Sequence, residues 1–350
     1  MYTATKKGYK HHYWGNDMDL GLVGDFVSSV RENKSQASVT GEDGLRAVEV
    51  AVAAYEAAEK KNAGCYSIIR EEAEMLIAMN QWGFPEGTSL EQIFQRAKDA
   101  GFDAVELNLN PSGGVGLTME TSAAEAEKIA ADARRYGLQL RSLSTGLLWG
   151  APLSSKDESV RRRGGEIVAK QLELAGIMGM DTVLVVPGAV NAETSYDECY
   201  LLSQEEIRKL IPLAEKTGVS IGIENVWNKF LLSPLEMARY IDEFQSPQVG
   251  SYFDVGNVLQ FGFPEQWIRI LKHRIRKIHV KDFSVQVGNI NGFVPLLAGD
   301  VNWDAVRSSL SEVGYDDVIT AELSAYKKAP VQMIYDTARH MKVIIGDEQH

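Results

Sequence analysis

The sequence predicts an α/β fold, a (β/α)8 barrel preceded by an amino-terminal helical extension. Three observations lead to this prediction. The chain has 350 residues, of which 45% are hydrophobic and 24% charged, and this composition can bury one large core. From about residue 75 onward, short β-branched apolar runs alternate with amphipathic stretches at helical spacing. The alternation repeats eight times, and eight strands joined by crossover helices are the number that closes a barrel.

The elements follow in a regular order. The predicted strands are Met75–Asn80, Ala104–Leu109, Leu138–Ser144, Thr182–Pro187, Val219–Asn225, Val249–Asp254, Ile275–Val280 and Val318–Leu323. The predicted helices are Ser89–Ala100, Ser122–Tyr136, Ser159–Gly179, Ser203–Thr217, Pro234–Phe244, Pro264–His273, Trp303–Val313 and Val331–Ile345, most of them beginning at Ser, Pro or Asp. A six-stranded open sheet with an extra subdomain is the competing fold. No Gly-x-Gly-x-x-Gly follows the first strand, so its dinucleotide-binding version lacks the phosphate-binding turn.

The first residues differ from the rest of the chain in composition. Two amphipathic helices, Asp19–Val30 and the alanine-rich Asp43–Lys61, accompany an irregular arm, and the second helix ends at Asn62-Ala63-Gly64. We therefore predict a helical arm over residues 1–64 and the barrel over residues 65–350.

Charge and cysteine content narrow the function classes. Lys and Arg number 36 against 48 Asp and Glu, a net charge of −12, so nucleic acid and anionic membranes are not expected partners. No signal-type or membrane-length apolar run is apparent, and we expect a cytoplasmic protein that forms a homo-oligomer. Cys65 and Cys199 match no redox or zinc spacing, so we expect two reduced packing residues.

Titratable residues stand at the ends of the last four predicted strands: Glu224, Asp254, His279 and Glu322. Side chains at the carboxyl ends of barrel strands meet at one mouth. A single Asp or Glu there is usually a helix cap or an ion-pair partner, for example of Lys281, but four in succession favour a shared cation. Three oxygen ligands and one imidazole predict one divalent ion, Mn²⁺ first, with Mg²⁺, Co²⁺ or Zn²⁺ as alternatives.

Other residues near the mouth are candidates for binding a substrate. Glu106 lies within the second predicted strand, and Asn225 follows Glu224. Aromatic side chains that would stack on a sugar or a larger aglycone, if they are not part of the core, are Trp82, Trp149, Trp227 and Phe283. No glycine-rich phosphate cradle follows the last two strands, which favours a neutral sugar over a phosphorylated one.

Five segments in the carboxyl half carry a family resemblance: Ile221–Asn225 (IGIEN), Phe253–Asn257 (FDVGN), Ile278–Asp282 (IHVKD), Gly299–Asp304 (GDVNWD) and Thr320–Leu323 (TAEL). Over about residues 75–345 the chain resembles the xylose isomerase-like sugar isomerases and epimerases, which include the ketose 3-epimerases. The resemblance implies that Glu224, Asp254, His279 and Glu322 hold one divalent metal ion.

The resemblance also implies a mechanism and further substrate contacts. The metal would bind the carbonyl and adjacent hydroxyl oxygens and stabilise an enediolate, while Glu224 and Glu322 act as catalytic acid and base on opposite faces. Lys281 would contact the substrate. Asn257 stands where the family has a substrate-binding histidine and Val285 where it has an arginine, so the usual free-ketose substrate is in doubt.

Three other functions stay open from the sequence alone. A lyase, such as an inosose dehydratase or a carbon-glycoside-cleaving enzyme, would use the same metal site but expel a leaving group. An endonuclease for abasic DNA would need more strand-end histidines and a basic face. A barrel that requires a partner subunit would retain the complete set of ligands.

The amino-terminal segment has a resemblance of its own. Gly8–Asn16 (GYKHHYWGN), Phe26–Val30 (FVSSV) and Thr40–Glu49 (TGEDGLRAVE) are similar to the carboxyl tail of the glucose-fructose oxidoreductase and inositol dehydrogenase family. This resemblance implies that the barrel works beside an oxidoreductase on oxidised sugars.

Overall fold

The computed structural model describes residues 2–5, 8–11 and 75–347. The chain divides into two compact units, Met1–Ala73 and Glu74–His350. In the first unit, β1 (Tyr2–Thr5) and β2 (Gly8–His11) pair antiparallel where the sequence predicted an irregular arm. Tyr and Thr favour this extended backbone. The predicted helices at residues 19–30 and 43–61 and the boundary at residue 64 lie outside the described residues and stay predictions.

The second unit contains eight parallel strands that close into a barrel. Around the ring, each strand pairs with its neighbour, and the last pairs with the first through Ile319–Ala321 and Ile77–Met79. The predicted (β/α)8 barrel is confirmed, and the open six-stranded sheet is wrong because these eight strands leave no edge. The strands are β3 (Ile77–Asn80), β4 (Ala104–Asn110), β6 (Ser142–Thr145), β7 (Thr182–Val185), β8 (Ser220–Glu224), β9 (Val249–Asp254), β10 (Ile275–Val280) and β13 (Ile319–Ala321), with the short β5 (Leu117–Thr118) beside β4.

Helices follow the barrel strands, and all of those listed next cover the outside of the barrel except a buried four-residue helix directly after β9. They are α1 (Leu90–Ala100), α2 (Ala123–Arg135), α3 (Glu158–Met178), α4 (Tyr196–Thr217), α5 (Pro234–Asp242), α6 (Val255–Val258), α7 (Pro264–Leu271), α8 (Trp303–Val313) and α9 (Pro330–Ile345). The main difference from the prediction is α4, which begins seven residues earlier than expected. Ser195 and Glu198 form a capping box there, so the polar first turns belong to the helix.

A charged cluster fills the barrel at the amino ends of its strands. Lys277 is 2% exposed, and its Nζ lies 2.6 Å from Asp181 Oδ1 and also contacts Asp317. Arg141 pairs with the same two aspartates at 3.0 and 3.2 Å. Because two cations face two anions, the cluster is internally balanced and closes this end of the barrel.

A short hairpin follows β10 at the opposite end. β11 (Asp282–Phe283) pairs antiparallel with β12 (Phe293–Val294), so the connection to α8 is folded over the mouth region rather than extended. Gly292 lies where an added Cβ would be 2.7 Å from the Phe283 ring, which explains the absence of a side chain there.

The structure also bears on the cysteines and on membrane-spanning helices. Cys199 is a buried free cysteine, and burial raises the pKa of its thiol to about 11; Cys65 lies outside the described residues. Among the helices that the structure describes, none combines the length and the hydropathy needed to cross a membrane.

Candidate metal centre

Four titratable side chains converge at the mouth from neighbouring strands. Glu224 and Asp254 are the last residues of β8 and β9, His279 is the second-last of β10, and Glu322 directly follows β13. Each offers a ligand atom, and these atoms all lie within 4.8 Å of one another. The structure therefore brings together the four residues that the sequence singled out.

The hydrogen bond of His279 fixes which ring nitrogen faces the centre. Its Nε2 lies 2.6 Å from Glu106 Oε2, whereas its Nδ1 points toward Glu322 Oε2 at 2.9 Å and Glu224 Oε1 at 4.0 Å. A histidine that donates Nε2–H to a carboxylate has its lone pair on Nδ1. This arrangement, a carboxylate behind a histidine, is the one that metal-binding histidines normally have.

Glu106 lies beneath this centre and does not reach the mouth. It is 1% exposed, and its carboxylate accepts hydrogen bonds from Asn80 Nδ2 at 2.6 Å, Ser142 Oγ at 2.7 Å and the Tyr252 hydroxyl. The predicted direct contact with substrate does not fit this placement. The physical reason is that β4 continues four residues beyond Glu106, so the side chain belongs to an inner layer of the barrel.

Asn225 and Asn257 hold the backbone around Asp254. Asn225 exchanges two hydrogen bonds of 2.8 Å with the backbone of Asp254, and Asn257 donates from Nδ2 to the carbonyl of Asn225 at 3.0 Å. The Asn257 backbone N–H also donates to Asp254 Oδ1 at 2.8 Å. Both amides are buried and position Asp254 in the structure. The predicted substrate contacts of Asn225 and Asn257 stay predictions.

Lys281 lies beside two of the carboxylates. Its Nζ is 2.7 Å from Glu322 Oε2 and 3.1 Å from Asp254 Oδ2, and its side chain is 16% exposed. Burial opposes its charge, but the carboxylates of Asp254, Glu322 and Glu224 raise the pKa of Lys281. The lysine is therefore a fixed cation at the edge of the centre, where it faces the mouth.

The charges at the centre do not balance without a further cation. Burial and the neighbouring Glu322 raise the pKa of Glu224 to about 8, and burial also raises the pKa of Asp254. Burial opposes the ionisation of Glu322 as well, but Lys281 and His279 lower the pKa of this residue. Lys281 is the one lysine or arginine in the described part of the chain that pairs with these carboxylates, so a divalent ion would offset the remaining negative charge.

The donor atoms themselves suit such an ion. Asp254 Oδ2, His279 Nδ1 and Glu322 Oε2 are buried and make no hydrogen bond of good geometry, although Lys281 Nζ lies within ion-pair distance of both carboxylate oxygens. Buried polar atoms normally have partners, and a cation between these atoms would be one for all three. Three carboxylates and one imidazole fit Mn²⁺, Mg²⁺ or Co²⁺, and also Zn²⁺.

The predicted aromatic residues are divided between surface and core. Trp82 and Trp149 follow β3 and β6 and are 38% and 52% exposed. Trp227 is half-buried and donates from Nε1 to the Asn257 carbonyl at 2.8 Å. Phe283 is fully buried against Trp227, with 5.4 Å between ring centroids, so it supports the surface and cannot itself stack on a sugar.

Sequence reasoning missed the layer that holds Glu106 and His279. Tyr252 lies two residues before Asp254, and its ring centroid is 4.5 Å from that of His279. Residues two apart on a strand share a face, so the spacing of Tyr252 from Asp254 was a usable signal. Ser142 and Asn80 lie on strands where no ligand was expected.

A sequence model described as the xylose isomerase-like TIM barrel matches residues 94–344. This chain belongs to that family. The family resemblance inferred from the five motifs is thereby confirmed, whereas the resemblance of the amino-terminal segment to an oxidoreductase tail stays a prediction.

Two curated relatives align with most of this chain. SgbU of Escherichia coli, a provisionally named L-ribulose-5-phosphate 3-epimerase, is 26% identical over 249 residues, covering 69% of this chain and 87% of its own length. UlaE of Salmonella paratyphi A, an L-ribulose-5-phosphate 3-epimerase, is 22% identical. The match covers 66% of this chain and 81% of the length of UlaE.

Among solved structures, an L-ribulose 3-epimerase aligns with a TM-score of 0.66 at 17% identity, covering 78% of this chain and 95% of its own. The 3-keto-D-glucoside 4-epimerase YcjR of Escherichia coli aligns with a TM-score of 0.64 at 17% identity. The alignment covers 77% of this chain and 99% of the YcjR chain. These two likenesses show the fold. The named relatives are sugar epimerases, and they give no support to the lyase alternative.

Proposed function

We propose that this protein is a divalent-metal-dependent epimerase of a ketose or keto-sugar. The observation that carries the proposal is the convergence of Glu224, Asp254, His279 and Glu322 at the mouth of the barrel. That the named curated relatives are sugar epimerases supports the same conclusion.

A bound divalent ion would polarise the substrate carbonyl and so acidify the adjacent carbon. The donor set favours Mn²⁺ first, with Mg²⁺, Co²⁺ and Zn²⁺ as alternatives. Asp254 and His279 have no proton-transfer role in this scheme. Asp254 and His279 would bind the metal ion. Asn225 positions Asp254, and Glu106 orients His279, through hydrogen bonds.

Glu224 and Glu322 transfer the protons. One carboxylate takes the proton from the carbon next to the carbonyl, and the electron pair of the broken C–H bond moves toward the carbonyl oxygen to give an enediolate. The other glutamate returns a proton to the same carbon from the opposite face. Two strands, β9 and β10, lie between β8 and β13, so the two glutamates approach from different sides.

Lys281 supplies the remaining positive charge. Its Nζ lies 2.7 Å from Glu322 Oε2 and faces the mouth. This position suits the ammonium group to bind a hydroxyl or a developing oxyanion of the substrate. We also propose that the protein is a homo-oligomer and that its substrate is an oxidised sugar made by an oxidoreductase, as the amino-terminal resemblance implies.

The test is epimerisation by the full-length protein, stripped of metal and then loaded with Mn²⁺. We expect it to epimerise at least one member of a panel of ketoses and 3-keto-glycosides, and chelation of the metal should abolish the activity. Glu224→Gln and Glu322→Gln should each lower kcat at least about a hundredfold, since each removes a proton-transfer group. Glu193→Gln, an exposed glutamate after β7, is the matched control and should keep the wild-type rate.

Full activity without any divalent ion would contradict the proposal. So would a Glu224→Gln or Glu322→Gln variant that behaves like the Glu193→Gln control.

A further inference from the structure

Exposed apolar side chains are concentrated around the mouth. In the described part of the chain, thirteen large hydrophobic residues are exposed, and nine of them lie in loops that follow the carboxyl ends of barrel strands. The nine are Trp82, Trp149, Leu232, Phe261, Phe263, Val285, Val287, Ile290 and Leu297. Soluble proteins rarely leave such a set together unless it binds something.

A series of contacts leads from the candidate metal centre to this surface. Lys281 Nζ, beside Glu322, lies 5.8 Å from the centroid of the Phe293 ring. The Phe293 ring is 5.3 Å from that of Trp227, which is 6.1 Å from that of Phe261. Phe261 is 74% exposed, so the series begins at the buried centre and ends in solvent.

These rings form a surface that is held in place. We call Trp227, Phe261, Phe283 and Phe293 the aromatic platform. Phe283 packs edge-on against both Trp227 and Phe293, at 5.4 and 5.1 Å, and the β11–β12 pairing fixes Phe283 opposite Phe293. A surface fixed before binding loses little entropy when a ligand arrives, which favours a binding function.

We propose that the aromatic platform binds a second group of the substrate, so that the enzyme acts on a keto-glycoside whose aglycone has a flat apolar face. The inference rests on the proposed function, because the keto-sugar itself must lie at the metal centre. Aromatic side chains bind flat apolar faces, and an aryl group and a second sugar ring both present one.

A phosphate group is a poorer occupant of this surface. In the structure as described, the lysine that contacts the aromatic platform is Lys281, and its ammonium group already pairs with Asp254 and Glu322. A phosphate dianion on the platform would face aromatic rings and lie near these carboxylates, whose like charge would repel it.

The experiment compares four substrates with the Mn²⁺-loaded full-length enzyme: a free ketohexose, its phosphate ester, a 4-nitrophenyl 3-keto-glucoside and a 3-keto-disaccharide. We expect kcat/KM to be at least about tenfold higher for one or both glycosides, equal to ~1.4 kcal/mol. The aryl and disaccharide arms distinguish an aromatic aglycone from a sugar. Phe261→Ala should remove most of this preference, measured as the ratio of kcat/KM for the glycoside to kcat/KM for the free ketohexose.

The matched control is Leu201→Ala. Leu201 is 67% exposed on α4, away from the mouth loops, and its removal should leave every kcat/KM unchanged. A second readout is binding: the nitrophenyl glycoside should quench tryptophan fluorescence, and Trp227→Phe should lose most of the quenching.

Three results would overturn the inference and leave the proposed function intact. The first is an equal kcat/KM for free and glycosylated sugars, and the second is a preference for the phosphate ester. The third is a Phe261→Ala variant that converts an oligomer to monomers while the rates with glycosides stay unchanged. The last result would assign the aromatic platform to a second copy of the chain. Failure to epimerise any of the four substrates would instead contradict the proposed function.

Discussion

At the scale of single residues, the depth of a side chain in the barrel decides its role. Glu106 and Glu224 are both inward-pointing glutamates on barrel strands, yet only Glu224 ends its strand. Glu106 is one layer deeper, where burial opposes its charge but His279 and the hydrogen bonds around it lower its pKa. Burial alone would lower the pKa of His279, but Glu106 and Glu322 raise it well above its ordinary value. The hydrogen bond between the two residues orients the imidazole.

Replacing this carboxylate should weaken metal binding. We expect Glu106→Gln to raise the Kd for Mn²⁺ about 10- to 100-fold, because a neutral amide orients the imidazole of His279 less firmly. Isothermal titration calorimetry on the metal-free protein measures this directly, with circular dichroism to verify folding.

Tyr252→Phe is the control for Glu106→Gln. It removes one hydrogen bond to Glu106 but keeps the carboxylate, so its effect on the Kd should be smaller. If Glu106→Gln bound Mn²⁺ as tightly as wild type, His279 would not depend on Glu106.

Sequence could predict the four converging residues but not the layer beneath them. The four candidates could be found because each stands at or near a strand end, and the end of a strand is visible in the sequence pattern. Asn225 bonds the backbone of Asp254, and Asn257 bonds the backbone of Asn225. Whether these amides point at a ligand or at backbone depends on the closeness of β8 and β9, which no single strand reveals.

At the scale of elements, the close contact between α6 and the end of β10 shapes the centre. An added Cβ on Gly256 would lie 2.7 Å from Lys281 Cβ and 2.8 Å from the Lys281 carbonyl oxygen. Only a residue without a side chain allows this approach, and the approach brings Lys281 within reach of Asp254. The predicted elements gave no hint of this contact, because α6 has four residues and falls between two predicted elements.

We expect Gly256→Ala to impair the centre by pushing the Lys281 backbone away. Overpacking of this kind costs about 1–3 kcal/mol. Epimerisation should fall more than stability does, since Lys281 lies at the mouth; kcat and urea unfolding measured on the same protein give the two effects.

Gly165→Ala is the matched control. Gly165 is in α3 and would meet nothing within 4 Å, so the alanine should keep full activity and add about 0.5–1 kcal/mol of stability. A Gly256→Ala enzyme as active as Gly165→Ala would show that the spacing of Lys281 is unimportant.

At the scale of the barrel, binding and stability are assigned to opposite ends. The candidate metal centre lies at the carboxyl ends of the strands, whereas Lys277, Asp181, Asp317 and Arg141 close the amino ends. Lys277 and His279 are two residues apart on β10 and point into the same interior. This division agrees with the general rule that barrel enzymes place their chemistry at the carboxyl face. Composition and periodicity were sufficient to predict the barrel, because each strand and helix carries its own local signal.

Asp317→Asn should destabilise the protein without changing catalysis. Burial opposes ionisation of Asp317, but Lys277 lowers its pKa below the usual value. Its contribution is therefore fully present above the unfolded pKa of about 3.9 and is lost as the pH falls through the folded value. We expect a loss of about 2 kcal/mol at pH 7, since the carboxylate is only partly exposed, and a much smaller loss near pH 3. Urea unfolding at both pH values measures the difference.

The control for Asp317→Asn is Asp304→Asn. Asp304 pairs with Arg307 but is 89% exposed, so its removal should change stability little at either pH. An Asp317→Asn loss that stays constant between pH 7 and pH 3 would show that its charge is not the source of the stabilisation.

The central claim is that two glutamates epimerise one carbon from opposite faces. The most direct measurement is early-time proton NMR of the Mn²⁺-loaded enzyme turning over a keto-sugar in D₂O. The account predicts one deuterium at the inverted carbon of the product, unchanged mass apart from that deuterium, and recovered substrate that still carries its proton. Deuterium appearing in recovered substrate as fast as in product would mean that a single base serves both faces, and would contradict the account.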